Sequence, residues 1–224
     1  MNRLKRIYQN YIKPFANRSW SQEGEDMILR RLFGNRGSGF YVDVGAHHPR
    51  RFSNTHYFYR QGWRGINIEP NPDGHALLKL FRRRDRNINC GVSDQEGTLP
   101  YYRFDEPALN TLDRDTAERQ SKKYRLIGED QVRIARLEKI LDDNMPADTV
   151  IDFINIDVEG HDLNVLQSNN WDKYRAEIVI AETIGNDMTQ ALGSDTAKFM
   201  AAVDYTLIAK TVNSVFFRDS RRTR

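Results

Sequence analysis

Three short apolar runs in the chain end in a similar way, with a carboxylate close to a turn residue. They cover residues 40–46, 66–70 and 153–157, with the carboxylates Asp43, Glu69 and Asp157. Uninterrupted apolar runs of this length are typical of strands buried on both faces of a parallel sheet. Open α/β sheets bind ligands at the edge where the carboxyl ends of such strands meet. The pattern therefore predicts a small-molecule site.

Helical and strand patterns alternate along the rest of the chain. The predicted helices cover residues 21–32, 53–62, 72–83, 114–123, 137–141 and 163–167. The predicted strands cover residues 40–44, 65–68, 88–92, 98–104, 131–135, 150–157 and 178–181, and a hairpin follows over 205–210 and 214–217. Alternation of this kind indicates an α/β fold with a mostly parallel sheet, to which the final hairpin adds an antiparallel edge.

Two segments stand apart from the predicted domain, which covers residues 21–218. Residues 1–20 form a basic, aromatic leader with a predicted helix ended by Pro14, and residues 219–224 form a basic tail. The apolar residues of the leader recur at helical spacing, at Leu4, Ile7, Tyr8, Tyr11 and Ile12. We expect this helix to pack on the domain, with a lipid interface as the alternative.

A long polar segment inside the domain, residues 105–131, shows little periodicity. Segments of this kind often cover binding sites, so we expect it to form a lid over the substrate. Within it, Asn110 and Thr111 are the polar residues that we expect to touch the substrate.

The composition of the 224 residues limits the classes of protein. Hydrophobic residues make up 39% and the net charge is +3, as in an ordinary globular domain without the broad basic face of a nucleic-acid-binding protein. No apolar run reaches the roughly 18 residues of a membrane span. The single Cys90 excludes an internal disulfide and a thiolate metal cluster. We therefore expect a cytoplasmic protein, with contact to the inner face of a membrane as a further option.

The first candidate motif is the turn after residues 40–44. Gly45 allows the backbone to turn sharply beside a ligand, and Asp43 can accept from backbone N–H groups or from a ligand ammonium. Ser53, Asn54 and Thr55 open a helix whose N-terminus can face a carboxylate. A dinucleotide fingerprint is excluded, because its second and third glycines are missing.

Glu69 ends the next apolar run, where a carboxylate can accept hydrogen bonds from both hydroxyls of a ribose. The alternative is a surface glutamate before Pro70. Together, the Gly45 turn and Glu69 indicate a nucleoside ligand.

The third cluster follows residues 153–156 and carries acid–base chemistry. Asp157 can serve as a base, a metal ligand or an acceptor for a substrate hydroxyl. Glu182 ends the neighbouring predicted strand, and the pair could hold Mg²⁺ or Mn²⁺. His161 is a second candidate base, because imidazole titrates near neutrality, and His47 lies in the first ligand loop. Charges that complement a helix N-terminus are the alternative.

Five sequence blocks, in this order, resemble the FkbM family of S-adenosylmethionine-dependent methyltransferases. They are Ser21-Gln22-Glu23-Gly24-Glu25-Asp26, residues 41–49, Ser53-Asn54-Thr55, residues 62–70, and Ile156-Asp157-Val158-Glu159-Gly160. The resemblance spans residues 19–183. It implies a Rossmann-like class I methyltransferase fold with seven strands, and O-methylation, commonly of a sugar hydroxyl in a glycan, glycolipid or natural product.

The resemblance also implies roles for individual residues. Asp43, Gly45 and Ala46 would form the first cofactor motif, and Glu69 would hold the ribose. Asp157 and Glu159 would lie beside the transferred methyl, and Gln22 and Glu25 would cap the methionine end. The competing hypothesis is a nucleotide-sugar-binding or regulatory module that lacks the transfer reaction.

Overall fold

The computed structural model describes residues 3–12, 17–183 and 187–222. Within these ranges the strands, in chain order, are β1 (Phe40–Val44), β2 (Arg64–Ile68), β3 (Arg86–Ile88), β4 (Gly91–Val92), β5 (Gly97–Phe104), β6 (Leu126–Ala135), β7 (Phe153–Ile156), β8 (Ile178–Glu182), β9 (Tyr205–Lys210) and β10 (Ser214–Asp219). The helices are α1 (Arg3–Ile7), α2 (Glu25–Phe33), α3 (His56–Arg60), α4 (Pro72–Phe81), α5 (Arg114–Gln120), α6 (Leu137–Asn144), α7 (Asp162–Gln167), α8 (Met188–Gly193) and α9 (Asp195–Ala202).

A seven-stranded sheet forms the centre of the molecule, in the order β3-β2-β1-β7-β8-β10-β9. Strands β3, β2, β1, β7 and β8 are parallel, whereas β10 runs antiparallel to both β8 and β9. The α/β fold with a mostly parallel seven-stranded sheet and an antiparallel C-terminal hairpin is therefore confirmed. Strand β1 lies between β2 and β7, so its end is enclosed on both sides.

The two faces of the sheet bury two different hydrophobic clusters. Because side chains alternate along a strand, Val42 and Val44 of β1 join a large aliphatic cluster that includes Ile154 and Leu166. Tyr41 points to the other face, into an aromatic cluster that α2 and α3 cover. The members of that cluster are Leu29, Phe33, Tyr41, Phe58, Trp63, Phe153, Ile178, Ile180 and Phe216. Helices on both faces make the molecule a three-layer structure.

A second sheet of three strands, in the order β4-β6-β5, corrects two sequence predictions. The strand predicted over residues 88–92 is split, because the chain leaves the main sheet after Ile88 and β4 pairs with the end of β6. The strand predicted to begin at Gln131 begins at Leu126, since β6 pairs with β5 along its length. Most side chains of β6 are exposed, so the segment lacks the apolar alternation that marks a strand. Residues 126–131, expected in the lid, therefore belong to this sheet.

Two helices, α8 and α9, have no counterpart among the predicted elements. They bury small or flexible side chains, Ala191, Ala197 and Met200, rather than a stripe of large apolar residues. Their N-caps were the available signal, because Asp187 accepts from Gln190 N and Ser194 accepts from Ala197 N. Helix α2, in turn, begins four residues later than predicted. Its N-cap is Gly24, at φ 88°, and the Ser21 hydroxyl bonds to Asp26.

The leader consists of α1 and a π-helical turn, Tyr8–Ile12. The predicted packing of the leader on the domain is wrong for the described residues, because Leu4 is 73% exposed and Tyr11 is 84% exposed. Pro14 lies outside the described residues. No helix in the described ranges has the length and apolarity needed to cross a membrane.

The turn after β1 requires a glycine. Gly45 has φ 78°, and its amide and that of Ala46 both donate to Ile68 O of β2, at 3.0 and 3.1 Å. A Cβ atom at residue 45 would lie 1.9 Å from the carbonyl oxygen of Asp157. The end of β1 is thus held against the ends of both neighbouring strands.

We expect Gly45→Ala to lower the free energy of unfolding by about 3 kcal/mol or more, because a left-handed backbone and an overlap with backbone atoms add together. Chemical denaturation measures the change. Gly37→Ala is the matched control, since a Cβ there meets nothing within 4 Å, and it should change stability by less than about 0.5 kcal/mol. Similar values for the two variants would contradict this account of the turn.

Candidate active site

A crevice opens at the carboxyl ends of β1, β2 and β7. Its first part spans about 490 Å³, and a second part of about 430 Å³ shares Gly45, His47, Asp157 and Glu159 with it; both volumes include open solvent. The first part is lined by Val44, Gly45, His47, Ile68, Glu69, Pro70, Cys90, Gly91, Val92, Tyr101, Pro107, Ala108, Asn110, Thr111, Leu112, Asp157, Val158 and Glu159. The strand-end carboxylates Glu69 and Asp157 therefore share one crevice, as the sequence predicts.

Glu69 is buried at the end of β2, and backbone amides fix its carboxylate. Oε2 accepts from His47 N at 2.7 Å, and Oε1 accepts from Asn71 N at 2.8 Å. Burial raises the pKa of Glu69 to about 7, although both hydrogen bonds act in the opposite direction. Each oxygen keeps a free lone pair, so the group can still accept from a ligand hydroxyl.

Asp43 borders the second part of the crevice, but its carboxylate is already occupied. Oδ2 accepts from Thr55 Oγ1 at 2.7 Å, and Oδ1 accepts from Asn155 Nδ2 at 2.9 Å. Its partners are therefore two side chains rather than the expected backbone N–H groups. Burial raises the pKa of Asp43, and both of these hydrogen bonds lower it.

Carboxylates line a third, adjoining part of the crevice, of about 380 Å³. Its charged and amide residues are Gln22, Glu23, Glu25, Asn54, Asp157, Glu159, Glu182 and Asn213, and we call this surface the acidic wall. The segment before α2 is tied to the hairpin turn, because Glu23 accepts from Asn213 N and Nδ2 at 2.8 and 2.7 Å. The buried Glu25 accepts from Glu23 N at 2.9 Å and from Ser214 Oγ at 3.2 Å. This contact brings the predicted Gln22 and Glu25 to the crevice.

Burial and crowding raise the pKa values of carboxylates in the acidic wall. Enclosure by protein, followed by the negative charges of Glu182 and Glu25, raises the pKa of Asp157. Burial, followed by the charge of Asp157, raises the pKa of Glu159. The surface of Asp157 nevertheless remains exposed to solvent, so its complete desolvation requires a ligand that fills the crevice. Carboxylates of this kind accept protons near neutral pH.

The two candidate histidines lie in different places. His47 lines the crevice with φ 49°, and burial lowers its pKa to about 4, so the ring is neutral. His161 is not among the residues that line the three parts of the crevice. Its Nε2 instead lies 2.9 Å from Ser93 Oγ, and burial lowers its pKa. His161 therefore lies at the start of α7, outside the lining of the crevice.

The two predicted substrate residues line the same part of the crevice as Glu69. Asn110 Oδ1 accepts from Phe104 N at 2.8 Å, and Thr111 Oγ1 donates to Glu159 O at 2.8 Å. Sequence reasoning missed their neighbours in the lining, Cys90, Gly91, Val92 and Tyr101. The available signal was the end of the third strand, since each strand of a parallel sheet delivers its carboxyl end to the same edge.

The predicted metal pair, Asp157 and Glu182, belongs to the acidic wall. Within the described ranges, no group of three or more His, Cys, Asp and Glu side chains is arranged to hold a metal ion. A bound ion would therefore depend on oxygen atoms from a ligand or from water.

The topology defines a Rossmann-like α/β fold, and the crevice lies at the carboxyl end of β1, where folds of this class bind ligands. The family model for the methyltransferase FkbM domain matches residues 43–207. The chain belongs to this family and is an S-adenosylmethionine-dependent methyltransferase. No curated protein sequence matches the chain.

Solved structures of similar fold include three methyltransferases. One is a Burkholderia thailandensis 1,6-didemethyltoxoflavin-N1-methyltransferase with bound S-adenosylhomocysteine, with 14% identity, a TM-score of 0.42, and coverage of 88% of this chain and 76% of that chain. A putative RNA methyltransferase from Pyrococcus horikoshii has 11% identity, a TM-score of 0.45, and coverage of 95% and 94%. An O-methyltransferase from Bacillus cereus in complex with SAH has 9% identity, a TM-score of 0.39, and coverage of 95% and 94%.

The residues of the crevice fit S-adenosylmethionine. Glu69 can take the ribose hydroxyls, and the apolar wall beside Tyr101 can take a flat base. The acidic wall favours a ligand whose other end, away from the nucleoside, carries positive charge. Two buried polar atoms in the crevice lining, His47 Nε2 and Asn54 Oδ1, have no hydrogen-bond partner in the described part of the chain. Such atoms need a ligand or water partner.

The raised pKa of Glu69 predicts a pH dependence of stability. The folded-state pKa of Glu69 is about 7, against an ordinary value of 4.5. The stabilising contribution of Glu69 to the free energy of unfolding is therefore fully present below about pH 4.5 and is lost as the pH rises through 7. Relative to Glu69→Gln, the wild type should lose about 3 kcal/mol of unfolding free energy between pH 4.5 and 8. Denaturation of both proteins across this range tests the assignment. If the difference in unfolding free energy between the two proteins stays constant with pH, the pKa of Glu69 is not raised.

Proposed function

We propose that the protein transfers the methyl group of S-adenosylmethionine to a hydroxyl of a sugar in a glycan, glycolipid or natural product. The observation that supports this proposal is the acidic wall, which includes Asp157. A sugar hydroxyl is a very weak acid, so its methylation requires a group that accepts the proton. Asp157 and Glu159, with their raised pKa values, are groups of that kind, and both line the crevice.

The reaction needs alignment and proton transfer. S-adenosylmethionine supplies an electrophilic methyl, and the acceptor oxygen must approach in line with it. Glu69 and the Gly45 turn would fix the nucleoside end, while Gln22 and Glu25 would close over the methionine end. Asp157 would orient the acceptor hydroxyl and take its proton, with Glu159 as the neighbouring carboxylate. Residues 105–125 carry Asn110 and Thr111 and would cover the acceptor.

We expect Asp157→Asn to reduce turnover by roughly 10²–10⁴-fold, the usual effect of losing an acid–base group. Cofactor affinity, measured by calorimetry, should change little, because Asp157 acts on the acceptor. Asp148→Asn, at an exposed loop carboxylate, is the control and should retain normal turnover. Near wild-type turnover of Asp157→Asn would reduce Asp157 to a structural role.

Chelation separates the two chemical versions of this role. If EDTA abolishes activity and Mg²⁺ or Mn²⁺ restores it, Asp157 and Glu182 hold a metal, and Glu182→Gln should be as damaging as Asp157→Asn. If EDTA has no effect, the base version stands. A protein that binds S-adenosylhomocysteine or nucleotide sugars tightly but methylates no acceptor would instead be a binding module.

We further propose that the leader contacts the anionic surface of a membrane, as expected of a cytoplasmic protein that meets a lipid-linked acceptor. Residues 3–11 carry both exposed hydrophobic side chains and positive charges. The exposed hydrophobic residues are Leu4, Ile7, Tyr8 and Tyr11, and the basic residues are Arg3, Lys5 and Arg6. Apolar and basic groups on one short segment favour an interface that carries negative charge.

Vesicle sedimentation tests this contact. The wild type should bind phosphatidylserine vesicles several-fold better than phosphatidylcholine vesicles, and less well at high salt. Replacing Ile7, Tyr8 and Tyr11 by Ser should remove most of this binding. Val212→Ser, at another exposed apolar side chain, is the control and should leave it unchanged. Equal binding to both kinds of vesicle would contradict the proposal.

A further inference from the structure

Asn54 presents a buried hydrogen-bond acceptor to the crevice. The residue is 6% exposed and lines both the second part of the crevice and the acidic wall. Its Oδ1 atom has no hydrogen-bond partner within residues 3–12, 17–183 and 187–222. A buried amide oxygen without a partner is costly, so the position calls for a donor that arrives with a ligand.

A relay of buried hydrogen bonds decides which atom of the Asn54 amide faces the crevice. The relay begins at Arg82, whose guanidinium can only donate. Arg82 donates to Thr55 Oγ1 at 2.9 Å, and the Thr55 hydroxyl directs its own proton to Asp43 at 2.7 Å, which is closer than its other oxygen neighbour, Ser53 Oγ at 3.3 Å. The Asp43 carboxylate thereby acts as an acceptor toward both of its neighbours.

The second half of the relay passes through two amides. Because Asp43 Oδ1 accepts, Asn155 turns its Nδ2 toward it, at 2.9 Å, and its Oδ1 away. Asn155 Oδ1 then accepts from Asn54 Nδ2 at 2.8 Å. The Asn54 oxygen is left facing the crevice, and rotation of the amide would place two donors or two acceptors against each other. The network, rather than the position of the amide alone, therefore sets this polarity.

Because the Asn54 oxygen faces the crevice, it favours a ligand group that donates a hydrogen bond. A ligand carboxylate would place a second acceptor against the Asn54 oxygen, whereas a ligand ammonium would donate a charge-assisted hydrogen bond to it. The start of α3 offers no compensating donor at His56, since its amide already donates to Ser53 Oγ at 3.1 Å. This polarity is the opposite of the sequence-based expectation that the helix start at Ser53, Asn54 and Thr55 faces a carboxylate.

We infer that Asn54 binds the α-ammonium group of the methionine end of S-adenosylmethionine, and that Asp43 and Asn155 act as positioning residues for it. This inference rests on the cofactor assignment and goes beyond it, because it names the atom that reads the charge of the amino-acid end. It also gives the buried Asp43 a role at a distance from the ligand.

Calorimetry with two ligands tests the inference without any measurement of activity. The ligands are S-adenosylhomocysteine and the same molecule without its α-amino group. Loss of a hydrogen bond to a charged group should weaken binding of the second ligand to the wild type by about tenfold or more. Asn54→Ala should weaken S-adenosylhomocysteine by a similar factor but bind the deaminated ligand about as well as the wild type does. Asn144→Ala, at a helix end elsewhere, is the control and should keep the wild-type difference.

Two further variants make the result specific. Asn54→Ser is too short to place its oxygen at the same point, so it should behave like Asn54→Ala and replaces that variant if the alanine protein does not fold. Asn155→Ala frees the Asn54 amide to turn, so the preference for the aminated ligand should fall while Asn54 itself is intact.

The possible failures are distinguishable. If Asn54→Ala or Asn54→Ser weakens both ligands equally, or weakens neither, the inference is wrong although the cofactor assignment stands. If the wild type binds neither ligand, the cofactor assignment fails and the inference fails with it. If Asn155→Ala keeps the full wild-type preference, the relay does not set the polarity of Asn54.

Discussion

The structure depends on an ion pair, Arg82 with Asp85, that is removed from water beneath the crevice. Their side chains are 1% and 0% exposed, and Arg82 Nε lies 2.9 Å from Asp85 Oδ2. Removing two charges from water costs several kcal/mol, which only complete hydrogen bonding can offset. Arg82 therefore also donates to Tyr41 Oη, Thr55 Oγ1 and Pro49 O, and Asp85 accepts from Gly65 N, Asn67 Nδ2 and Tyr41 Oη. These partners belong to β1, to β2 and to the loop between β1 and α3. One buried pair thus fixes the elements that surround the end of β1.

The acidic wall imposes the opposite kind of constraint. Burial, followed by the negative charges of neighbouring carboxylates, raises the pKa values of Asp157, Glu159 and Glu182, so their ionisation opposes folding. A carboxylate with a raised pKa stabilises the fold at low pH, and this contribution disappears as the pH rises through the shifted value. A positively charged ligand reverses the effect, because it interacts favourably with the ionised forms. The carboxylates of the acidic wall repel one another, whereas the network around Arg82 and Asp85 is rigid and fully hydrogen-bonded. Such a combination is common at functional sites.

The parts of the fold that sequence reasoning recovered are those with a local signal. The bounds of β1 and the strand ends at Glu69 and Asp157 follow from apolar runs and turn residues, and the resemblance to FkbM proteins adds the segment at Gln22. Strand β6 was recognised only at its end, because its exposed residues pair with β5 rather than entering the core. The leader was misplaced for a similar reason, since helical spacing of apolar residues does not show which surface they meet. For β6, a contact distant in sequence decided the outcome.

The most instructive sequence signal is a polar residue inside an otherwise apolar strand. Asn67 and Asn155 each interrupt an apolar strand, and both lie directly beside Asp43 in the parallel register. A polar residue inside a fully buried strand is tolerated only when it has hydrogen-bond partners. Three such residues at the same level of neighbouring strands therefore imply a polar layer across the middle of the sheet, on the face that carries Tyr41. That layer links the Arg82–Asp85 pair to Asn54, so the same residues that stabilise the sheet also set the polarity of the crevice.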